Sequence, residues 1–349
     1  MKLVKWLAVV PITLVLVSSM DVGQAHAMTV HNQKQYAITS SPRVKLVYNR
    51  NITRGVPKEY STGNYPGSGK LNHMRVNHGA KHVKFNTSIF LPHNGEARWT
   101  APQSSAIVGH YAYVMYNYNG KLNDHRDFVV RYDLNKIHHH GLELGYTSNH
   151  KDGIKVGPVF NGGHGQSLAY NPKKKQLWFL NMGRGSYAKA SAEQLSLKTL
   201  RPIYRINFRF SYNSSLMDNT LAFDNSGHAF TYVRSGGGNV RKGAYKIYRG
   251  SISRSGVHFN LMKTAIRHAA GPIPQGLGYN PKNDRLYFVS DGSIISAPAW
   301  KVNRLKKSDI RYVRVKTNRE FEGLTFNRKG HGYLLTLRPP ELMRMSGSF

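Results

Sequence analysis

Five polar side chains occupy equivalent places in this sequence, each at the start of a short apolar run. They are Gln103, Gln166, Asn219, Gln275 and Glu322. If the runs are strands that converge on a common axis, these side chains face one another at one mouth of a central channel. Such a ring could coordinate a cation through water, bind a sugar, or satisfy its own hydrogen bonds around buried water.

Carboxylates are scarce in this ring. Glu322 is its only acidic member, and Glu320 and Asp218 are the auxiliaries nearest in sequence to ring positions. A Ca²⁺ site usually takes several carboxylate ligands. We therefore predict a structural polar plug without a resident metal or other cofactor, and keep calcium binding as the alternative.

One histidine is a candidate for proton transfer. His164 lies between two glycines directly before the second ring position, and together with Glu322 it could act as a general base. The run His138–His140 lacks spaced carboxylate partners and is predicted to be a solvated loop. The sequence contains no nucleophile elbow, zincin motif or P-loop, so no catalytic residue is assigned.

The ring residues open a repeated unit. Each copy reads polar, small, Leu, small, aromatic, Asn or Asp, and is followed by a turn and a second apolar run. Four clear copies begin at Gln166, Asn219, Gln275 and Glu322, and a weaker one begins at Gln103. Their spacing of about 50 residues is that of a four-stranded propeller blade. The pattern predicts an all-β fold, a five-bladed β-propeller, with small residues where the inner strands crowd together.

Closure of the ring needs a strand from elsewhere. Little chain follows the last copy, so its blade lacks an outermost strand. The segment Val44–Tyr48 alternates as a strand does, and we predict that it pairs with Leu342–Met345. Such closure removes exposed sheet edges. A β-sandwich or two smaller β-domains are the alternatives.

The N-terminal residues have the pattern of an export signal. Residues 1–27 combine a basic start, an apolar stretch and a small-x-small cleavage site, which predicts a signal peptide and a secreted domain of residues 28–349. An uncleaved anchor is the alternative. No second apolar stretch suggests a membrane span in the mature chain, and the lack of cysteine is typical of proteins exported by Gram-positive bacteria.

Positive charge dominates the composition. Fifty Lys and Arg against 17 Asp and Glu give a net charge of +33. Solubility needs far less, so an anionic partner is expected. Outside a Gram-positive cell the abundant polyanions are teichoic acids, anionic lipids and extracellular DNA. We expect teichoic acid or anionic lipid as the partner, although general wall adhesion explains the charge equally well. No helix-turn-helix, zinc finger or RNP-like motif is present, so sequence-specific nucleic-acid binding is not expected.

Two resemblances to known families follow from the strand openings. The segment 322–326 resembles the inner strand of phytase-like extracellular propellers, in which a Glu-Gly-Leu motif contributes to a calcium site on the axis; the other copies here carry Gln or Asn. The openings between Gln166 and Met345 resemble those of helveticin-type class III bacteriocins, large antibacterial proteins of lactobacilli. That resemblance implies a protein that binds and damages the envelope of related bacteria without conventional catalysis.

These observations combine into one hypothesis and one alternative. We expect a secreted, strongly cationic propeller that binds anionic envelope polymers and is bacteriocin-like or surface-associated. The alternative is an extracellular hydrolase or lyase that acts on an anionic polysaccharide or phosphate ester near His164 and Glu322.

Overall fold

The computed structural model describes residues 44–49, 63–65, 68–92, 99–118, 126–137, 153–182, 190–208, 220–235, 241–271 and 273–349. The predicted signal peptide, the run His138–His140, Asp218 and Asn219 lie outside these ranges. Within them every regular element is a β-strand except two single-turn 3-10 helices, Ala299–Lys301 and Lys307–Asp309. The predicted all-β class is therefore confirmed. No helix in the described ranges is long and apolar enough to cross a membrane.

Three strands precede the repeats: β1 Lys45–Val47, β2 His73–His78 and β3 Lys84–Phe90. The rest form five antiparallel meanders, here named A to E. Meander A contains β4 Trp99–Val108, β5 Tyr111–Tyr118, β6 Arg126–Asp133, β7 Ile154–Val156 and β8 Phe160–Asn161. Meander B contains β9 Ala169–Asn171, β10 Gln176–Met182, β11 Ala190–Leu195 and β12 Pro202–Phe208.

Meander C contains β13 Ala222–Phe223, β14 Ala229–Arg234, β15 Tyr245–Ser253 and β16 Gly256–Ile266. Meander D contains β17 Pro274–Asn280, β18 Arg285–Ser290, β19 Ser293–Pro298 and β20 Arg311–Val315. Meander E contains β21 Phe321–Phe326, β22 Gly332–Thr336 and β23 Glu341–Ser346. Each meander starts with the strand that carries, or directly follows, one ring position of the repeat.

The N-terminal strands attach to meanders far along the chain. β1 runs parallel to β16, whereas β3 pairs antiparallel with β23. β2 bonds to both β20 and β3, so meanders D and E merge into one sheet of nine strands. The predicted pairing of Val44–Tyr48 with Leu342–Met345 is wrong. The three-residue β1 buries one side chain, whereas the seven-residue β3 buries Phe85, Thr87 and Ile89 along one face.

The Asn or Asp that ends each repeat block shapes the turn after it. The Oδ1 atom of Asn171 accepts a hydrogen bond from the backbone N–H two residues on at 3.1 Å, and Asn280 and Asn327 accept the equivalent bonds at 3.0 Å. Asp224 accepts from the N–H of His228, four residues on, at 2.8 Å. A short amide or carboxylate replaces a backbone carbonyl in such turns. This explains why the sixth position of the block is restricted to these residue types.

These turns lie side by side and form one end of the molecule, here named the turn face. The Nδ2 atom of Asn225 in meander C donates to the Pro281 carbonyl in meander D at 3.2 Å. Gly227 lies against Asn171 of meander B, and Gly330 of meander E lies against Asn280, so that a Cβ atom on either glycine would be 2.9–3.0 Å from the amide oxygen.

The first strands of meanders D and E converge where the repeat places small residues. A Cβ atom on Gly276 would lie 2.9 Å from the carbonyl oxygen of Glu322, and one on Gly278 would overlap the carbonyl of Leu324. Glycine therefore allows β17 and β21 to approach closely, as the alternation of small and large residues predicted.

Five apolar clusters fill the spaces between meanders. They lie between A and B, B and C, C and D, D and E, and E and A. In the last of these, Leu335 and Leu342 of meander E pack with Tyr116 and Tyr132 of meander A. Buried apolar surface is the main favourable term in folding, so the contact between the last and first meanders contributes as the sequential ones do.

A buried ion pair lies where β3 meets meander E. The guanidinium of Arg319 donates to Glu341 Oε1, and the two side chains are 1% and 0% exposed. Glu341 Oε2 accepts hydrogen bonds from Asn72 Nδ2 at 2.9 Å and from Thr87 Oγ1 at 3.3 Å. Arg319 also donates to Thr336 Oγ1 at 2.5 Å. The carboxylate thus joins the N-terminal strands to the last meander.

Candidate functional site

Three of the predicted ring residues are joined by hydrogen bonds. Gln166 Nε2 donates to Gln275 Oε1 at 2.9 Å and to Glu322 Oε2 at 3.4 Å. Gln166 belongs to meander B, and its partners belong to D and E, which do not follow B directly in the chain. The three side chains therefore meet across the middle of the fold.

Two further carboxylates lie at this cluster. Asp291, in the turn between β18 and β19, accepts hydrogen bonds from Gln275 Nε2 at 3.5 Å and from the Phe321 N–H at 3.1 Å. Glu320 is half-buried and pairs with Arg338 at 3.4 Å. Asp291 was not predicted, although carboxylates are scarce enough in this chain for its place beside a strand end to have been informative.

The other predicted ring residues are placed separately. Gln103 is buried in β4, and its Cβ atom would lie 3.5 Å from a Cβ on Gly165. His164 is half-buried in the same loop as Gly165, and its carbonyl accepts a hydrogen bond from Asn117 Nδ2 at 3.3 Å. Asn219 lies outside the described residues. The structure thus links Gln166, Gln275 and Glu322 directly and puts the loop of His164 beside Gln103.

Burial controls the charge of Glu322. The side chain is 2% exposed, and desolvation, followed by the nearby charges of Glu320 and Asp291, raises its pKa well above the ordinary value; the hydrogen bond from Gln166 opposes this. Burial also raises the pKa of Glu320. Burial favours the neutral form of a carboxyl, so Glu322 is held as the acid over a wider pH range than a surface glutamate.

The cluster does not fit a calcium site. The Gln166 amide nitrogen, a donor, lies beside both Gln275 Oε1 and Glu322 Oε2, where a cation would need oxygen ligands on every side. In the described ranges, no group of three or more His, Cys, Asp or Glu side chains is placed to hold a metal ion. The geometry favours the polar plug over the calcium alternative.

Glu322→Gln is expected to raise the melting temperature at pH 8 and to leave it nearly unchanged at pH 4. Stability linked to a raised carboxyl pKa is present below the unfolded pKa and is lost as pH rises through the folded pKa. The amide still accepts the hydrogen bond from Gln166, and it does not ionise, so this loss of stability is avoided. The melting temperature should rise by roughly 2 °C for each kcal/mol of unfolding free energy regained. Calorimetry at both pH values measures the change.

Glu320→Gln is the matched control, because Glu320 is half-buried and paired with Arg338. It should change the melting temperature less than Glu322→Gln does at pH 8. A lower melting temperature of Glu322→Gln at pH 8 would contradict the assignment of Glu322 as a buried acid.

The opposite end of the first strands opens into a cavity of about 840 Å³. Residues from the first strands of all five meanders line it, and at the turn face its lining includes Lys175 and Arg328. Lys175 has φ of 54°, in the left-handed region. A lysine there costs about 1–2 kcal/mol relative to glycine. Asp284, at the same place in the turn of meander D, has φ of 49°.

Comparisons with known proteins give this chain no family. No family model and no curated protein match the chain. It is similar to a solved streptogramin B lyase, with 14% identity and a TM-score of 0.35 over 76% of this chain and 72% of that one. It is also similar to a glucose dehydrogenase, with 11% identity and a TM-score of 0.41 over 80% of this chain and 100% of that one.

A third solved structure is the PQQ domain of pyranose dehydrogenase from Coprinopsis cinerea. It shows 8% identity and a TM-score of 0.39 over 82% of this chain and 100% of that domain. These neighbours are propeller-like all-β proteins. At such identities they assign this chain neither a family nor an activity.

Proposed function

We propose that meanders A to E are the blades of a closed five-bladed β-propeller formed by residues 28–349, and that residues 1–27 direct its secretion. The support is the apolar cluster between meanders E and A, because a ring needs that contact and a linear array has no place for it. In this arrangement β3, from the N-terminal region, supplies the outer strand of the last blade.

The proposed function is binding to anionic cell-envelope polymers, teichoic acid or anionic lipid. The observation that supports it most strongly is where the carboxylates lie. None of the Asp and Glu side chains in the described ranges is exposed: Asp127, Asp133, Glu193, Asp224, Asp284, Asp291, Asp309, Glu320, Glu322 and Glu341 are all buried or half-buried.

Several of these carboxylates are also neutralised by cations beside them. Glu193 pairs with Arg205 at 2.8 Å, and Asp309 pairs with Lys301 at 2.8 Å. Burial, opposed by Arg205 and by hydrogen bonds, raises the pKa of Glu193. Within the described ranges, an approaching polyanion therefore meets no exposed carboxylate.

Most lysines and arginines, in contrast, are exposed. On the turn face these include Lys173, Lys174, Lys282 and Lys329. The described part of the surface, which carries exposed cations and no exposed carboxylate, attracts a polyanion and repels a second copy of the protein. Broad adsorption to an envelope rich in phosphate groups follows from this distribution and needs no sequence or shape recognition.

Binding to purified Gram-positive cell walls is expected to weaken by about tenfold or more between 50 and 200 mM salt, because bound cations release counterions from the polymer. The logarithm of the dissociation constant should vary linearly with the logarithm of salt concentration. A sedimentation assay with labelled protein measures this. Walls stripped of teichoic acid are the control, and undiminished binding to them at low salt would refute the electrostatic account.

The role that fits such binding is bacteriocin-like antagonism or surface association. The alternative enzyme would need its substrate to reach Glu322, which is 2% exposed and hydrogen-bonded to Gln166. Incubating the protein with teichoic acid and with anionic polysaccharide, and following the release of phosphate or of new reducing ends, separates these functions. Turnover that Glu322→Gln abolishes while wall binding persists would establish the enzyme.

A further inference from the structure

The cavity at the turn face has the size of a small-molecule site. Its volume of about 840 Å³ lies in the range of about 300–1,000 Å³ that is usual for ligand pockets. Because all five first strands contribute to its wall, its shape is fixed by the most crowded part of the fold. The polar cluster of Gln166, Gln275 and Glu322 lies toward the other end of these strands, away from the cavity mouth.

The chemistry of the wall changes from the inside to the rim. Leu168, Phe223, Leu277 and Phe326 supply apolar side chains to the lining, whereas Lys175 and Arg328 belong to the turns at its mouth. No carboxylate is among the described residues that line the cavity. An apolar interior with cations at the entrance is complementary to a molecule with an apolar body and an anionic group.

The turn before β10 places Lys175 at the mouth of the cavity. Lys175 and Asp284, the last turn residues before β10 and β18, share a left-handed backbone conformation, with φ of 54° and 49°. This conformation therefore belongs to the type of turn. What links Lys175 to the cavity is its place in the lining, which Lys173 and Lys174 of the same turn do not share.

We propose that this cavity binds an amphipathic anion, with its apolar part inside and its phosphate or carboxylate group held by Lys175 and Arg328. This goes beyond the proposed polymer binding, which uses exposed cations over the whole surface. One molecule of the anion binds per chain, and removal of either cation weakens its binding.

Isothermal titration calorimetry with decyl phosphate, kept below its micelle concentration, tests the proposal. Lys175→Asn and Lys174→Asn are matched variants: each removes one positive charge from the same turn, but Lys174 does not line the cavity. Asparagine tolerates the left-handed region, so Lys175→Asn should melt at or above the wild-type temperature.

The expected result is a single site. Its affinity should fall about tenfold or more in Lys175→Asn, because one charge-assisted hydrogen bond is lost, and less than twofold in Lys174→Asn. Glycerol phosphate, which lacks the apolar chain, should bind far more weakly than decyl phosphate. Equal losses in the two variants, or equal affinities for the two phosphates, would overturn the proposal, whereas failure of wall binding would leave it intact.

Vesicles containing phosphatidic acid identify the source of the anion. If the ligand is a lipid within a bilayer, wild-type protein should bind them better than Lys175→Asn does. Equal vesicle binding by both proteins, with the decyl phosphate difference retained, would identify a free amphipathic anion as the ligand.

Discussion

Arg319→Met is expected to destabilise the folded protein by about 3–5 kcal/mol, the usual cost of leaving one member of a buried ion pair without its partner. Glu341 is fully buried and would keep only the donors Asn72 and Thr87. Urea unfolding followed by circular dichroism measures the loss, and poor soluble yield is the expected result if the remaining stability is small.

Two further variants make this prediction specific. Adding Glu341→Gln to Arg319→Met should recover most of the loss, because the amide oxygen still accepts from Asn72 and Thr87 without carrying a charge. Arg338→Met removes an arginine whose side chain is 53% exposed and should cost less than about 1 kcal/mol. An equal cost for the two arginine variants would contradict the account of Glu341.

Removal of β3 is expected to have the second large effect. A chain that lacks residues 1–62 loses β1 and should still fold, with lower stability in meander C. A chain that lacks residues 1–92 also loses β3, which exposes the edge of β23 and removes Phe85 and Ile89 from two apolar clusters. We expect this longer deletion to abolish cooperative unfolding, measured by calorimetry.

A synthetic peptide of residues 68–92 provides the control for this deletion. Added to the longer deletion, it should restore a cooperative transition, since it supplies β2 and β3 in the register of the intact chain. Unfolding of the 1–92 deletion at the temperature of the 1–62 deletion would show that β3 does not hold the fold together.

The strands could be predicted from the repeat because its residues meet requirements of the local structure. The Asn or Asp at the end of each block forms the turn through its own side chain, and the small residues at Gly276 and Gly278 are required by the strand beside them. Both requirements act within one or two elements, so they leave a mark at fixed positions of the sequence.

The pairing of β3 with β23 could not be predicted in the same way. Val44–Tyr48 and Lys84–Phe90 both alternate as strands do. The contacts that distinguish them are made with distant parts of the chain: Glu341, for example, bonds to Asn72 and Thr87, more than 250 residues away. Nothing in the sequence around Glu341 distinguishes a buried carboxylate from a surface one.

The predicted site was incomplete for a related reason. The ring hypothesis located Gln166, Gln275 and Glu322 at the start of their strands, and these side chains do meet. It did not specify that Gln166 would donate hydrogen bonds to side chains of meanders D and E. It also did not predict the cavity at the other end of the strands. Both depend on the summed volumes of side chains from five separate segments, which no single repeat contains.

The pairing of β3 with β23 also has a consequence for folding. Thr87 and Glu341 are 254 residues apart in the chain, so the N-terminal segment emerges early in synthesis and has no partner until nearly the whole chain is complete. Contacts this distant in sequence are slow to form and leave apolar strand edges exposed in the meantime. We therefore expect the pairing of β3 with β23 to form late, and the time for which β2 and β3 stay unpaired to limit how much chain reaches the native state.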